Sequence, residues 1–281
     1  MAHLEDAGRP GAQRSEDSDL GGKLRRVLPN LEQQLPVAII VAVLALWEWR
    51  ARSGSISTLF FPAPSTIIQT FARLLASGEL AIQLGATLSR LLLGFALGSA
   101  PGLIFGLTMG WSRRLRAVID PFVAALHPIP KISLLPLIII IFGIGETSKI
   151  VAVAVGSFFP MVINCMAGVL QISLTYFDVA KNYGAGPLQV FKRVILPGSL
   201  PLVLTGARIS LNIALLITIS VELVAAQKGL GAVIWLAWQT LRTEELYASL
   251  IVISALGIGF NLFLQRLKLR LVPWHEDLQN D

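Results

Sequence analysis

Long runs of apolar residues without a single charge dominate this chain. Leu91–Trp111 holds 21 such residues in a row, Ile150–Ile172 holds 23 and Leu246–Leu264 holds 19. A bilayer core of about 30 Å is crossed by roughly 20 residues of α-helix. Each of these runs is therefore long enough to predict one membrane-spanning helix.

Three further runs are shorter or contain charges, and they predict three more spans: Leu35–Trp49, Pro121–Ile144 and Leu200–Ala226. The first of them must include flanking residues to reach full length. Between the first two spans, Pro64 can start a helix, and the residues after it alternate apolar and polar with helical spacing. The whole pattern predicts an all-α, polytopic membrane protein with about six transmembrane helices and one amphipathic surface helix.

The composition agrees with this fold class. Of the 281 residues, 54% are hydrophobic and only 14% are charged, whereas soluble domains carry about a quarter of charged residues. The net charge of +6 comes from bases that are scattered between apolar runs, so no nucleic-acid partner is expected. Cys165 is the only cysteine and the three histidines stand far apart, so we expect neither a metal site nor catalytic residues.

The ends of the chain are polar. Residues 1–30 carry charges of both signs and resemble no secretory signal, so they are interpreted as a disordered cytoplasmic tail. Residues 31–275 are interpreted as the transmembrane domain and residues 276–281 as a short cytoplasmic C-terminal tail. With the amino terminus inside, the inner segments hold 14 Lys and Arg residues against six in the outer segments. This asymmetry predicts that both termini face the cytoplasm.

Five glycines recur at every fourth position of the second predicted span: Gly94, Gly98, Gly102, Gly106 and Gly110. Small residues at this spacing allow another helix to approach closely. We therefore expect this face to be a helix-packing surface, either inside the chain or against another subunit.

Breaks and charges inside the spans mark a candidate translocation pathway. Three prolines surround Lys131 and predict a broken helix, which membrane proteins tolerate where protein or water satisfies the freed carbonyls. Arg208 and Glu222 lie about 21 Å apart along one helix, so each needs a partner from elsewhere. We predict that Lys131, Asn164, Arg208 and Glu222 line the pathway. A position at the membrane interface is the alternative for each charge.

The longest predicted inner loop covers residues 174–197. Asp178 is predicted at the front of a short helix, where it would favour the positive end of the helix dipole. Gly184 and Gly186 can end that helix, and Pro187 can open a second one.

The second loop helix carries apolar residues that no bilayer covers. Leu188 and Phe191 are expected to share one exposed face of it. Such a face favours docking on another protein, with a plain surface loop as the alternative.

This loop resembles the "EAA" loop of permease subunits in type I ATP-binding-cassette (ABC) importers. That pattern is Glu-Ala-Ala, three residues, Gly, nine residues, then Ile-x-Leu-Pro. Here it reads Asp178-Val-Ala180, Gly184 and Val194-Ile-Leu-Pro197, so Asp replaces Glu and Val replaces one Ala and the Ile. Phe61-Pro-Ala-Pro-Ser65 and Phe142-Gly-Ile-Gly-Glu146 are similar to the nitrate/sulfonate/taurine branch, as is the proline-rich run around Lys131. The resemblance covers roughly residues 35–275.

The resemblance implies a type I ABC importer permease fold in the bacterial cytoplasmic (inner) membrane. The implied function is the import of a small anionic or polar solute of the sulfonate, taurine, nitrate or bicarbonate class. The implied partners are ABC ATPase subunits, an extracytoplasmic solute-binding protein, membrane lipid and a second permease copy, most simply in a homodimer. The residues implied to contact the ATPase are Asp178, Val179, Ala180, Gly184, Leu188 and Pro197.

The chain lacks a Gly-x-x-x-x-Gly-Lys-[Ser/Thr] phosphate loop. We therefore expect a transport subunit that is no enzyme and holds no cofactor, with ATP and Mg²⁺ in the partner ATPase. A secondary transporter driven by an ion gradient is the alternative, although no clear inverted repeat is visible. The residues leave the solute and the identity of the second permease open.

Overall fold

The structure of the chain is a computed structural model that describes residues 34–274. Contacts divide these residues into two units, one that ends at Thr66 and one that begins at Ile67. The predicted tails, residues 1–30 and 276–281, lie outside the described residues. Every regular element in the described range is a helix.

The first unit consists of α1, Gln34–Arg52, and the segment that follows it. The Glu48 carboxylate accepts hydrogen bonds from the backbone N–H and the hydroxyl of Ser65, at 3.0 and 2.8 Å. Arg52 forms a salt bridge with the same carboxylate. These bonds hold residues 53–65 against the end of α1. The helix extends the first predicted span at both ends.

The helix α2, Pro64–Ala76, begins at the proline that predicted its start. In the second unit it buries Ile67, Thr70 and Leu74 on one face and leaves Ile68 exposed. It is the predicted amphipathic helix.

The other helices of the second unit are α3 (Glu79–Trp111), α4 (Arg113–Leu126), α5 (Leu135–Phe142), α6 (Glu146–Leu170), α7 (Leu174–Asn182), α8 (Pro187–Val190), α9 (Leu196–Ala225), α10 (Leu230–Gln239) and α11 (Thr243–Leu271). A short 3₁₀ turn, Lys131–Leu134, leads into α5. A wide π-helical turn, Phe191–Ile195, joins α8 to α9. At 33 residues, α3 is about 50 Å long, so the predicted second span is only its later part.

The core of the second unit is formed by α3, α6 and α9, and the glycine ladder of α3 lies against α6. A Cβ at Gly94 would lie 2.5 Å from the Cβ of Val153, and one at Gly110 would lie 2.5 Å from the Cβ of Val169. Later glycines therefore meet later residues of α6, which means that the two helices run parallel. Of the two alternatives, the structure places the ladder inside the chain.

The third predicted span is broken, as its prolines predicted. The axes of α4 and of the segment Lys131–Phe142 differ by 90°. Pro128 and Pro130 lie in the break, where their missing N–H groups interrupt the helical bonding. We call residues 127–134 the elbow.

Five helices in the described range are long and apolar enough to cross a membrane: α1, α3, α6, the continuous helix of residues 187–225, and α11. A sixth span results if the bent pair of helices at the elbow is counted as one. The apolar α10 has only 10 residues and is too short to cross. The predicted all-α, polytopic fold is thus confirmed.

Candidate functional site

The loop between α6 and α9 forms two short helices joined by a glycine turn. After α7, Gly184 has a φ of 72°, and its N–H donates to the carbonyl of Lys181 at 3.0 Å. The N–H of Ala185 donates to the carbonyl of Ala180 at 2.9 Å. This pair of bonds is a Schellman motif, in which glycine is favoured because its φ is positive. The end of α7 was therefore readable from Gly184.

Asp178 lies elsewhere on α7 than the sequence predicted. The helix begins at Leu174, and the hydroxyl of Ser173 accepts a bond from the backbone of Thr175 at the cap. Asp178 is the fifth helical residue, so the expected position at the front of the helix was wrong. Its side chain is exposed next to Val179, while Ala180 is half-buried.

The second loop helix begins at Pro187 and continues through the π-helical turn into α9. The Gln189 side chain accepts a bond from the Gly186 N–H at 3.0 Å, which satisfies one free donor at the helix start. The N–H of Leu196 bonds to the carbonyl of Phe191, five residues earlier. Pro197 then lies in the first turn of α9, where a proline is tolerated.

Leu188 and Phe191 do not share an exposed face, which corrects the prediction. Leu188 is exposed, but Phe191 packs inward, with its ring centroid 5.9 Å from that of Trp111. Phe191 packs against Trp111 at the end of α3 and against the core behind it, and these tertiary contacts set its direction. The exposed apolar side chains of the loop are Leu174, Tyr176, Val179, Tyr183, Leu188 and Leu196. We call the set of Tyr176, Val179, Tyr183 and Leu188 the loop surface.

A cavity of about 520 Å³ lies beside the loop. Its lining includes Tyr176 and Arg193 from the loop, Gly168 from the end of α6 and Trp274 beyond α11. The loop therefore packs against the core through Phe177 and Phe191 and leaves this cavity on another side.

Lys131 lies in the elbow, where its ammonium group caps the C-terminal end of α4. The Nζ atom donates to the carbonyls of Leu126, His127 and Ile129 at 3.0, 2.7 and 2.7 Å. It also lies 4.7 Å from the ring centroid of Phe159. These carbonyls lose helical partners at the proline break, and a cation at a helix C-terminus is favoured by the dipole.

The other predicted pathway residues have separate surroundings. Asn164 donates to the carbonyl of Pro160 at 2.8 Å, and Arg208 is half-buried on α9. Glu222 is fully buried near the C-terminal end of α9, away from the loop, and its carboxylate pairs with the Arg90 guanidinium of α3 at 2.6 Å. The structure therefore does not bring Glu222 and Lys131 together.

The sequence reasoning missed Arg90, which stands just before the second predicted span. Arg90 is only 4% exposed, and it also forms a salt bridge with Glu146. A signal was present, because Gln83, Thr87 and Arg90 follow one another at helical spacing and mark a polar stripe on α3.

This chain matches a known family and several relatives. The family profile described as "Binding-protein-dependent transport system inner membrane component" matches residues 102–275. The chain is 35% identical to the aliphatic sulfonates transport permease protein SsuC of Bacillus subtilis, over 84% of this chain and 86% of that protein. It is 34% identical to the taurine transport system permease protein TauC of Escherichia coli, over 87% and 91%.

Solved structures share the fold. The methionine ABC transporter MetNI in an inward-facing conformation matches with a TM-score of 0.58 at 22% identity, over 67% of this chain and 94% of that one. An amino acid ABC transporter matches with a TM-score of 0.54 at 20% identity, over 72% and 97%. The chain thus belongs to the family of binding-protein-dependent transport system inner membrane components, and it is a permease subunit of an ABC importer, whose ATPase is a separate subunit.

Proposed function

We propose that this permease subunit carries a small organic sulfonate into the cytoplasm. The supporting observation is its 34–35% identity, over 84–87% of the chain, to permeases named for taurine and for aliphatic sulfonates. Nitrate and bicarbonate are the competing solutes.

The proposed assembly contains two copies of this chain, two ATPase subunits and an extracytoplasmic solute-binding protein, in the lipid of the inner membrane. ATP and Mg²⁺ belong to the ATPase subunits, and this chain holds no cofactor. Both termini lie in the cytoplasm, since the inner segments hold most of the bases.

The loop of residues 174–197 is proposed to dock on the ATPase. The support is the loop surface, on which Val179, Tyr183 and Leu188 are 48%, 88% and 64% exposed. Aromatic and aliphatic side chains in such positions are typical of protein interfaces. Asp178 lies beside this surface, and Ala180, Gly184 and Pro197 shape the backbone behind it.

The elbow is proposed as the pathway element that changes position during transport. A helix bent by 90° at two prolines has backbone groups that regular helical bonds do not hold. Lys131 and Asn164 lie on the elbow and on α6, and Arg208 and Glu222 lie on α9.

The solute is tested by uptake into liposomes that contain the permease, its ATPase and its binding protein. We expect accumulation of radiolabelled taurine that requires ATP, and we expect an excess of a short alkanesulfonate to reduce it at least tenfold. Excess nitrate should leave it unchanged. Uptake that continues without ATP and follows an imposed ion gradient would contradict the importer mechanism, and competition by nitrate alone would contradict the sulfonate class.

The docking role of the loop is tested with the double variant Tyr183→Ser and Leu188→Ser. Both side chains are exposed, so the permease itself should remain folded. We expect the ATPase to co-purify at least tenfold less. Ile144→Ser, which removes a side chain that is 90% exposed at the other end of the helices, is the control and should leave the complex intact. Equal co-purification of all three proteins would contradict docking at this surface.

A further inference from the structure

Four charged side chains form a cluster at the end of the helical core opposite the loop. Arg90 comes from α3, Glu146 and Lys149 from the start of α6, and Glu222 from the end of α9. We call them the distal charge cluster. Two positive and two negative charges make it neutral, and Arg90, Lys149 and Glu222 are 4%, 7% and 0% exposed.

Arg90 is the centre of the cluster because it contacts three different elements. Its guanidinium binds the Glu146 carboxylate through two nitrogens. Its Nη1 atom donates to Glu222 and to the carbonyl of Lys228, each at 2.6 Å. One side chain thus joins α3 to the start of α6, to the end of α9 and to the turn before α10.

Neighbouring groups complete the hydrogen bonding of Glu222. Its second carboxylate oxygen accepts from the Thr87 hydroxyl at 2.9 Å and from the Gly231 N–H at 3.0 Å. The same Thr87 hydroxyl accepts from the Leu230 N–H at 2.9 Å. The Gln83 side chain accepts from the Gly229 N–H at 2.7 Å. The stripe on α3 therefore bonds to three successive residues, Lys228, Gly229 and Leu230.

Two glycines seal the carboxylate. A Cβ at Gly229, where φ is 122°, would lie 2.4–2.5 Å from the carboxylate atoms of Glu222. A Cβ at Gly231 would lie 2.6 Å from the Cβ of Glu222. The backbone of the turn thus lies directly on the acid and leaves no room for a solute beside it.

We propose that the distal charge cluster is a permanent clamp. It makes α3, the start of α6, the end of α9 and the turn into α10 one rigid body that does not open during transport. This inference rests on the proposed function and deepens it, because it assigns Glu222 and Arg90 as positioning residues and places the moving element at the elbow. The alternative is a latch that opens once in each cycle.

The burial of the cluster favours the clamp. Opening it would expose or leave unpaired the buried charges of Arg90, Lys149 and Glu222, which is costly for buried ion pairs, whereas the Glu146 side chain is already 57% exposed. The glycine ladder adds close backbone packing between α3 and α6, so those two helices cannot slide past each other without a clash. The elbow has neither of these restraints, and two of its carbonyls are bonded by the single side chain of Lys131.

The first test measures distances by pulsed electron paramagnetic resonance in the assembled complex. Spin labels at Ser89→Cys and Lys228→Cys, which are exposed positions on either side of the clamp, are introduced into a Cys165→Ala chain that is diluted with unlabelled chain. We expect the same mean distance without nucleotide and with bound ATP. A shift of more than a few ångströms would overturn the clamp and support the latch.

A second label, at Tyr183→Cys in both copies, reports whether the ATPase moves the loops. If the distance between the Tyr183→Cys labels of the two copies is the same with and without ATP, the result counts against the proposed function and not against the clamp. In that case the melting temperatures of the second test decide, because they are measured on the permease without nucleotide.

The second test compares the melting temperatures of charge variants in the purified permease and their ATP consumption in the assembled complex. Arg90→Met leaves two carboxylates facing one lysine, whereas Arg90→Met with Glu222→Gln leaves a balanced Glu146–Lys149 pair. We expect the double variant to melt at a higher temperature than the single one and to consume less ATP per solute transported. A double variant that transports with normal coupling while the single variant melts like the wild type would contradict the clamp.

Discussion

The two ends of the helical core are built in opposite ways. At the loop end, apolar side chains are exposed, Gly184 has open space around it, and a cavity of about 520 Å³ lies behind the backbone. At the distal end, the charged side chains of Arg90, Lys149 and Glu222 are buried and paired, and Gly229 touches the Glu222 carboxylate. One end exposes apolar side chains, whereas the other satisfies its own polar groups. This difference fits the proposed docking at the loop end and the proposed clamp at the distal end.

The largest effect is expected from removing the centre of the distal cluster. Arg90→Met should lower the free energy of unfolding by about 3–5 kcal/mol, because it leaves buried carboxylates without their partner. Thermal unfolding in detergent measures this loss. Arg114→Met removes an exposed arginine near the loop end and is the matched control. Equal melting temperatures for the two variants would show that the distal cluster contributes no more to stability than an exposed arginine at the loop end.

The next largest effect concerns the helix contact that connects the two ends. Gly106→Val should destabilise the permease by about 1–3 kcal/mol, because its Cβ would lie 2.6 Å from atoms of Cys165 and Val162. Gly85→Val on the same helix meets no atom within 4 Å and should change stability little. Thermal unfolding again measures the difference. Similar losses for both variants would show that the helical propensity of glycine, and not packing, sets the effect.

At the loop end, backbone conformation is the sensitive feature. Gly184→Val should cost about 1–2 kcal/mol locally, because a β-branched residue is disfavoured at a positive φ. In the Gly184→Val complex we expect the ATPase to hydrolyse ATP at a basal rate that the solute-loaded binding protein no longer raises. Gly184→Asn should keep the stimulation, since asparagine tolerates this conformation. Gly186→Ala, at a φ of −72°, is the second control. Full stimulation in the valine variant would show that the turn geometry is not needed.

The smallest effect is expected at the elbow, between the two ends. Lys131→Met should cost about 0.5–1 kcal/mol, because it removes the cation from the C-terminal end of α4. Uptake kinetics should show a lower maximal rate with an unchanged KM for the loaded binding protein, and Lys131→Arg should recover most of the rate. A raised KM with an unchanged maximal rate would instead indicate that Lys131 binds the solute.

Local features of the fold were predictable from the sequence, and contacts between distant residues were not. Apolar runs predicted the spans because helix length and bilayer thickness are directly related. The turn at Gly184 was readable because glycine, proline and their spacing act within a few residues. The pairing of Arg90 with Glu222 joins positions 132 residues apart. No periodicity reports such a contact, so the sequence predicted that Glu222 needs a partner without identifying Arg90.

Two predictions on the loop were wrong. Asp178 was predicted at the front of α7, but the helix begins a turn earlier, at Leu174 after the Ser173 cap, and serine is as favourable at an N-cap as aspartate. Phe191 turns inward because it packs against Trp111 of α3, a contact between distant positions that helical spacing does not report.

The π-helical turn also has a mechanical consequence. Residues 187–225 form one rod of 39 residues that runs without interruption from the loop to the distal cluster. The wide turn adds one residue, which is equivalent to about 100° of rotation around the axis. Deleting a single residue from that turn would restore a regular α-helix and would keep the direction of Leu188 relative to Glu222, because the wide turn absorbs the added residue. Adding one residue elsewhere in the rod would instead swing Leu188 by this angle, so that the loop surface would face another direction while the helices stayed intact.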